Sequence, residues 1–96
     1  MIKSFRDRDT RAIFEGEVTK GARRCLPTQL WKKARAKLDE IDAASDPGQL
    51  ATPSNRLHSL SGDRAGQYAI RINPQYRICF EWREEGAWEV EITDYH

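Results

Sequence analysis

Two hydrophobic periods divide this chain. In "PTQLWKKARAKLDEIDAAS", residues 27–45, Leu30, Ala34, Leu38 and Ile41 recur at helical spacing, with Trp31 and Ala44 widening the stripe. This predicts a long amphipathic helix, with Pro27 in its first turn and Asp46-Pro47-Gly48 stopping it. From residue 66 the period becomes two. "GQYAIRI" puts Tyr68, Ile70 and Ile72 on one face and Gln67, Ala69 and Arg71 on the other. "YRICFEW" sets Tyr76, Ile78, Phe80 and Trp82 inward, with Arg77, Cys79 and Glu81 outward. "WEVEI" sets Trp88, Val90 and Ile92 inward. "NPQ" and "REEGA" supply turns, so the three strands form an antiparallel meander.

Ahead of the long helix, "MIKSF" alternates and reads as a short first strand. "DTRAIFEGE" reads as a short helix capped by Asp9 or Thr10, and "TKGARRC" as a polar, basic connector. The fold class expected is α+β: two N-terminal helices packed on a roughly four-stranded, mostly antiparallel sheet, forming a single domain over 1–96. One face of the sheet lies under the long helix and the other is polar.

Composition narrows the function classes. Ninety-six residues suit one modest core, and 32% charged against 39% apolar residues describes a chain that folds with little stability to spare. No apolar run approaches membrane-spanning length, so the expectation is a cytoplasmic protein with no membrane partner. Cys25 and Cys79 fit no metal spacing, and with only His58 and His96 as imidazoles neither a metal site nor a cofactor is expected. The net charge of +1 hides an asymmetry. Residues 1–37 hold eleven Lys or Arg against four acids; residues 38–96 hold five Arg against eleven acids. The basic half suits a polyanion, or else a solvated face against the acidic remainder.

On the polar face of the meander, Arg71 and Arg77 flank one hairpin. Guanidiniums placed together repel, which suggests a shared anion, unless Glu81, Glu89 or Glu91 neutralises them across the strands. The chain then closes on Asp94-Tyr95-His96, three proton-active side chain types in succession.

Taken in order, "RLHSLSGDRAGQYAIRINPQYRICFEW", a short acidic hairpin and the terminal "DYH" resemble the HigB-type toxins of the RelE/ParE superfamily, also called plasmid-maintenance killer proteins. The matching positions are Arg56, Leu57, His58, Leu60, Gly62, Gly66, Tyr68, Arg71, Arg77, Phe80 and the closing triplet, with "MIKSF" and the Pro-initiated basic helix also alike. The resemblance implies a ribosome-dependent mRNA endonuclease acting in the A site, on mRNA framed by ribosomal RNA. It also implies a HigA-like helix-turn-helix antitoxin, through which alone operator DNA would be contacted. Two rival readings remain: a ParE-like, non-catalytic gyrase inhibitor, and an inert co-repressor of the antitoxin. Clustered acid–base groups have no use in a pure binder.

Metal-free RNA cleavage needs a base for the ribose 2′-hydroxyl, an acid for the leaving 5′-oxygen, and cations for the phosphate oxygens. Histidine suits either proton role, and arginine suits the phosphate. The residues themselves offer Arg71 and Arg77 as phosphate clamps, and the resemblance implies His58, Asp94, Tyr95 and His96 as catalytic. Lys20, Arg23, Arg24, Lys32, Lys33, Arg35 and Lys37 are expected to meet ribosomal RNA. Ser61 stands where relatives often carry Lys, and Arg64 is the candidate substitute for that cation.

Overall fold

A computed structural model describes residues 1–94. Tyr95 and His96 lie outside the described residues. The elements run α1 (Arg8–Glu15), α2 (Lys20–Cys25), α3 (Trp31–Ala43), β1 (His58–Ser59), β2 (Gln67–Arg71), β3 (Tyr76–Arg83) and β4 (Gly86–Asp94). The four strands form one sheet in the order β1-β2-β3-β4, antiparallel throughout. The helices pack on one face of it. The α+β reading therefore stands, with three helices where two were expected.

The helix termini explain that difference. Asp7, not Asp9 or Thr10, caps α1, accepting from the Thr10 backbone N–H at 2.7 Å. Gly16 ends it in the left-handed region at φ 79, where a side chain would be strained. The stretch read as a connector is α2, because the Thr19 hydroxyl accepts from Ala22 N–H at 3.0 Å and starts a turn. Six residues with one buried position, Ala22, carry no readable stripe. Pro27 precedes a 3-10 turn, Thr28–Leu30, that leads into α3. The α3 stripe holds as read: Trp31, Ala34, Leu38 and Ile41 are buried, and the Trp31 indole donates to Leu26 O at 2.8 Å. Against them pack Ile70, Ile72, Ile78, Phe80, Ala87, Val90 and Ile92 from the sheet. Phe80 is wholly buried, and truncating it to Ala would cost about 3–5 kcal/mol.

Two strand assignments change. "MIKSF" joins the sheet through two isolated parallel bridges, Ile2↔Ala87 and Phe5↔Val90, rather than as a full strand. Its backbone nevertheless covers the β4 edge: Lys3 N donates to Ala87 O at 2.7 Å and Val90 N donates to Ser4 O at 3.1 Å. Where the segment turns into α1, the buried Thr10 hydroxyl takes over by accepting from Ile92 N at 3.0 Å. An edge that would otherwise invite another strand is thus occupied. The fourth strand is instead β1, on the opposite margin.

Trp88 was expected to face inward; it does not. β4 carries a bulge: Cys79 pairs with Glu91, but Glu81 pairs with Trp88, leaving Glu89 extra at φ 52. The inserted residue inverts the alternation, so Ala87 takes the buried position opposite Trp82. Trp88 stands on the outer face, stacked on the Arg83 guanidinium at 4.4 Å and donating to Arg83 O at 2.9 Å. Nor is the outer face uniformly polar, since Gln67, Ala69 and Cys79 are buried there.

Candidate functional site

At the turn end of the β2–β3 hairpin lies a cleft of about 400 Å³, lined by Arg56, His58, Arg71, Asn73, Pro74 and Arg77. Its geometry follows from the strand register. Arg71 and Arg77 are direct cross-strand partners. The Arg71 N–H points away from β3, to Asn55 O at 2.7 Å, so the two arginines form a non-hydrogen-bonded pair. Such pairs bring Cα atoms to about 4.5 Å and side chains closest together. The turn between them is fixed by Asn73, whose side-chain oxygen accepts from Gln75 N at 2.9 Å and Tyr76 N at 2.7 Å.

On the other side of the cleft β1 pairs His58 with Ala69, placing the imidazole on the arginines' face one row along. His58 Nδ1 lies 3.0 Å from Arg56 O. A carbonyl only accepts, so Nδ1 carries the proton; in the neutral ring Nε2 is then the open lone pair. Arg56 itself sits in the left-handed region at φ 48, an uncommon conformation for a side chain of that size. The described lining thus gathers three guanidiniums and one imidazole, with no carboxylate. Such a lining attracts a polyanion, and phosphate above all, because guanidinium donors match two oxygens at once.

The candidate residues fall into separate groups. His58, Arg71 and Arg77 come together in this cleft. Asp94 ends β4 opposite Tyr76, next to the turn, where its Oδ2 accepts from Gln75 Nε2 at 3.1 Å. Tyr95 and His96 are outside the described residues. Lys20, Arg23, Arg24, Lys32 and Lys33 are exposed on α2 and the start of α3. Three basic candidates are engaged inside the molecule. Arg35 donates to Ile13 O at 3.1 Å. Lys37 is only 5% exposed, its ammonium donating to Asn55 Oδ1 at 2.5 Å and Ser54 Oγ at 3.1 Å, and burial lowers its pKa. An amine so placed has no face left for nucleic acid. Arg64 crosses the outer face to Glu91 at 2.6 Å and to Gln67 at 3.0 Å, and the Glu91 hydrogen bond raises its pKa. Its described partners are thus Glu91 and Gln67, and it is absent from the described cleft lining.

Sequence reasoning did not single out Arg56, Asn73 or Pro74 as site residues. Arg56 was named only as the first residue of the RLH match; Asn73 and Pro74 were read only as a turn. Among the described residues no three His, Cys, Asp or Glu side chains converge in a way that would hold a metal ion. No helix among them is long and apolar enough to cross a membrane.

Comparison with known proteins adds the relationship. The family described as "RelE-like toxin of type II toxin-antitoxin system HigB" matches residues 3–96. The Endoribonuclease HigB of Proteus vulgaris is 34% identical over 96 residues, covering 100% of both chains. The Toxin HigB-1 of Vibrio cholerae is 31% identical over 83 residues, 85% of this chain and 84% of that one. Among solved structures, the YoeB-YefM complex from Staphylococcus aureus superposes with a TM-score of 0.62 at 14% identity, covering 100% of this chain and 98% of the other. The Helicobacter pylori protein HP0894 gives 0.60 at 12%, covering 99% and 96%. At those identities the likeness is one of fold.

Proposed function

This chain belongs to the HigB-like, RelE-like toxins of type II toxin–antitoxin systems, and from that premise we propose that it is an endoribonuclease cutting mRNA in the ribosomal A site. The observation that carries the reading is the register pairing of Arg71 with Arg77 beside His58 in a described lining without carboxylates. A phosphodiester fits between the two guanidiniums, which offset the charge that gathers on its oxygens in the transition state. The His58 imidazole, with Nδ1–H committed to Arg56 O, offers Nε2 as the base. It takes the proton of the 2′-hydroxyl as that oxygen bonds to phosphorus; the bond to the 5′-oxygen breaks, leaving a cyclic 2′,3′-phosphate. In-line displacement needs the proton donor on the far side. That role is assigned to the closing Asp94-Tyr95-His96 triplet, with His96 as donor to the 5′-oxygen.

The partner is an antitoxin, here assigned as HigA-like, and the complex would contact operator DNA through the antitoxin. Lys20, Arg23, Arg24, Lys32 and Lys33 are assigned to ribosomal RNA, which places the protein in the cytoplasm; such docking weakens as salt rises. His58→Ala is expected to lower codon-linked cleavage about 10²–10⁴-fold in a reconstituted translation reaction, with the melting temperature retained. Full cleavage by that variant would end the proposal. Replication arrest on induced expression, without mRNA cuts, would favour a gyrase inhibitor; no growth arrest would favour a co-repressor.

A further inference from the structure

Beneath the cleft runs a chain of buried polar groups that the reaction itself does not use. Asn55 is wholly buried, yet each of its polar groups is bonded. Its Nδ2 donates to Glu40 Oε1 at 3.1 Å and to Leu50 O at 3.1 Å, and its Oδ1 accepts from Lys37 Nζ. Its N–H donates to Thr52 O at 3.1 Å, and its carbonyl accepts from Arg71 N at 2.7 Å. One residue therefore ties α3 to the end of β2. The next residue, Arg56, adopts φ 48, and its carbonyl is the acceptor that holds His58 Nδ1 at 3.0 Å. The orientation of a carbonyl is set by the torsions of its own residue and its neighbours, so anchoring Asn55 from both sides aims the Arg56 carbonyl at the ring. A buried lysine held by Asn55 Oδ1 and Ser54 Oγ is an expensive arrangement for mere packing, because a desolvated ammonium must be compensated by donor-matched oxygens. An apolar residue of similar size would serve packing equally well.

We infer that Asn55, clamped by Lys37 and Glu40, is a positioning residue that fixes His58 in the Nδ1–H tautomer and so presents Nε2 to the cleft. The inference rests on the nuclease reading only for what Nε2 then does; the tautomer is a property of the protein alone. The side chain of free histidine prefers the opposite, Nε2–H tautomer, so the state of the ring reports the device directly.

Long-range ¹H–¹⁵N correlation spectra of the full chain, taken where the ring is neutral, are the test. In the wild type the His58 Nδ1 signal is expected at the protonated, pyrrole-like shift and Nε2 at the pyridine-like one. The reverse pattern overturns the inference without any variant. In Asn55→Ala, and in the milder Lys37→Gln, the two shifts are expected to move toward the free-histidine pattern. Folded variants that keep the wild-type ring shifts overturn it too. In cleavage assays the same variants are expected to lose about tenfold or more in kcat with KM nearly unchanged. A change in KM alone, or activity that falls only with the folded fraction, would reduce Asn55 to a structural role. Were the chain to cleave no RNA at all, the ring spectra would still decide the positioning claim, and the nuclease reading would fail separately.

Discussion

In the sheet row that runs Ala69, Cys79, Glu91, the arginine brought across the face lands on a carboxylate: Arg64 reaches Glu91 at 2.6 Å, and Arg6 approaches the same group at 3.8 Å. One row along, Arg71 stands opposite Arg77, with Arg56 in the same cleft and no acid in the described lining. Both rows lie on one face of one sheet, two residues apart. The first is what folding favours, a charge paired as it leaves water. The second works against stability, since like charges directly opposite each other are unfavourable. The difference lies in the described counter-charge: Glu91 in the first row, and no carboxylate in the described cleft lining of the second.

That contrast breaks most sharply at Arg71. Arg71→Gln keeps much of the side-chain stem and removes the charge. Cleavage is expected to fall about 10²–10³-fold. In the same protein, thermal or urea unfolding is expected to show a gain of roughly 0.2–1 kcal/mol, because the like-charge pair is gone. A variant that lost both activity and stability would show the arginines to be structural. The complementary change is Glu91→Gln in the paired row. Here unfolding is expected to reveal a loss of about 1 kcal/mol, because Arg64 and Arg6 lose the carboxylate's charge while the amide oxygen still accepts. Cleavage per folded molecule should stay near wild type. A third, smaller effect serves as the reference point away from both rows. Burial, then the nearby Asp7 carboxylate, pushes the Cys25 thiol up to about 11 from 9.0. The folded state thus holds the thiol proton more tightly than the unfolded chain. Its stabilising contribution is complete below pH 9.0 and is lost as pH rises from there through about 11. Cys25→Ser is expected to flatten the decline in stability over that window, read by urea titration at fixed pH values.

The sequence was legible where a period was long and uninterrupted. α3 and the β2–β3 hairpin were read nearly as they stand, and with them the facing of Arg71 and Arg77. Periodicity failed where a single residue changes phase. Glu89 adds one position to β4 and moves Trp88 to the other face, a shift that no window average detects. α2 was missed because a capping hydroxyl, rather than an apolar stripe, defines it. Lys37 was misplaced for another reason. Its helical position lies beside the stripe, and only Asn55, eighteen residues on, makes it an interior group. A lysine on a basic helix looks solvated until the loop that covers it is known. His58 was named from the RLH pattern, whereas the bond that sets its tautomer depends on a left-handed backbone at Arg56 that composition does not announce.

The pairing of the first residues with the last strand governs when this protein becomes whole. Ser4 bonds to Glu89 across 85 positions of sequence, and Lys3 and Arg6 bond to Ala87 and Val90. Closing so large a loop has to wait until β4 exists as chain. During synthesis the opening segment therefore has no strand to pair with until β4 has been made.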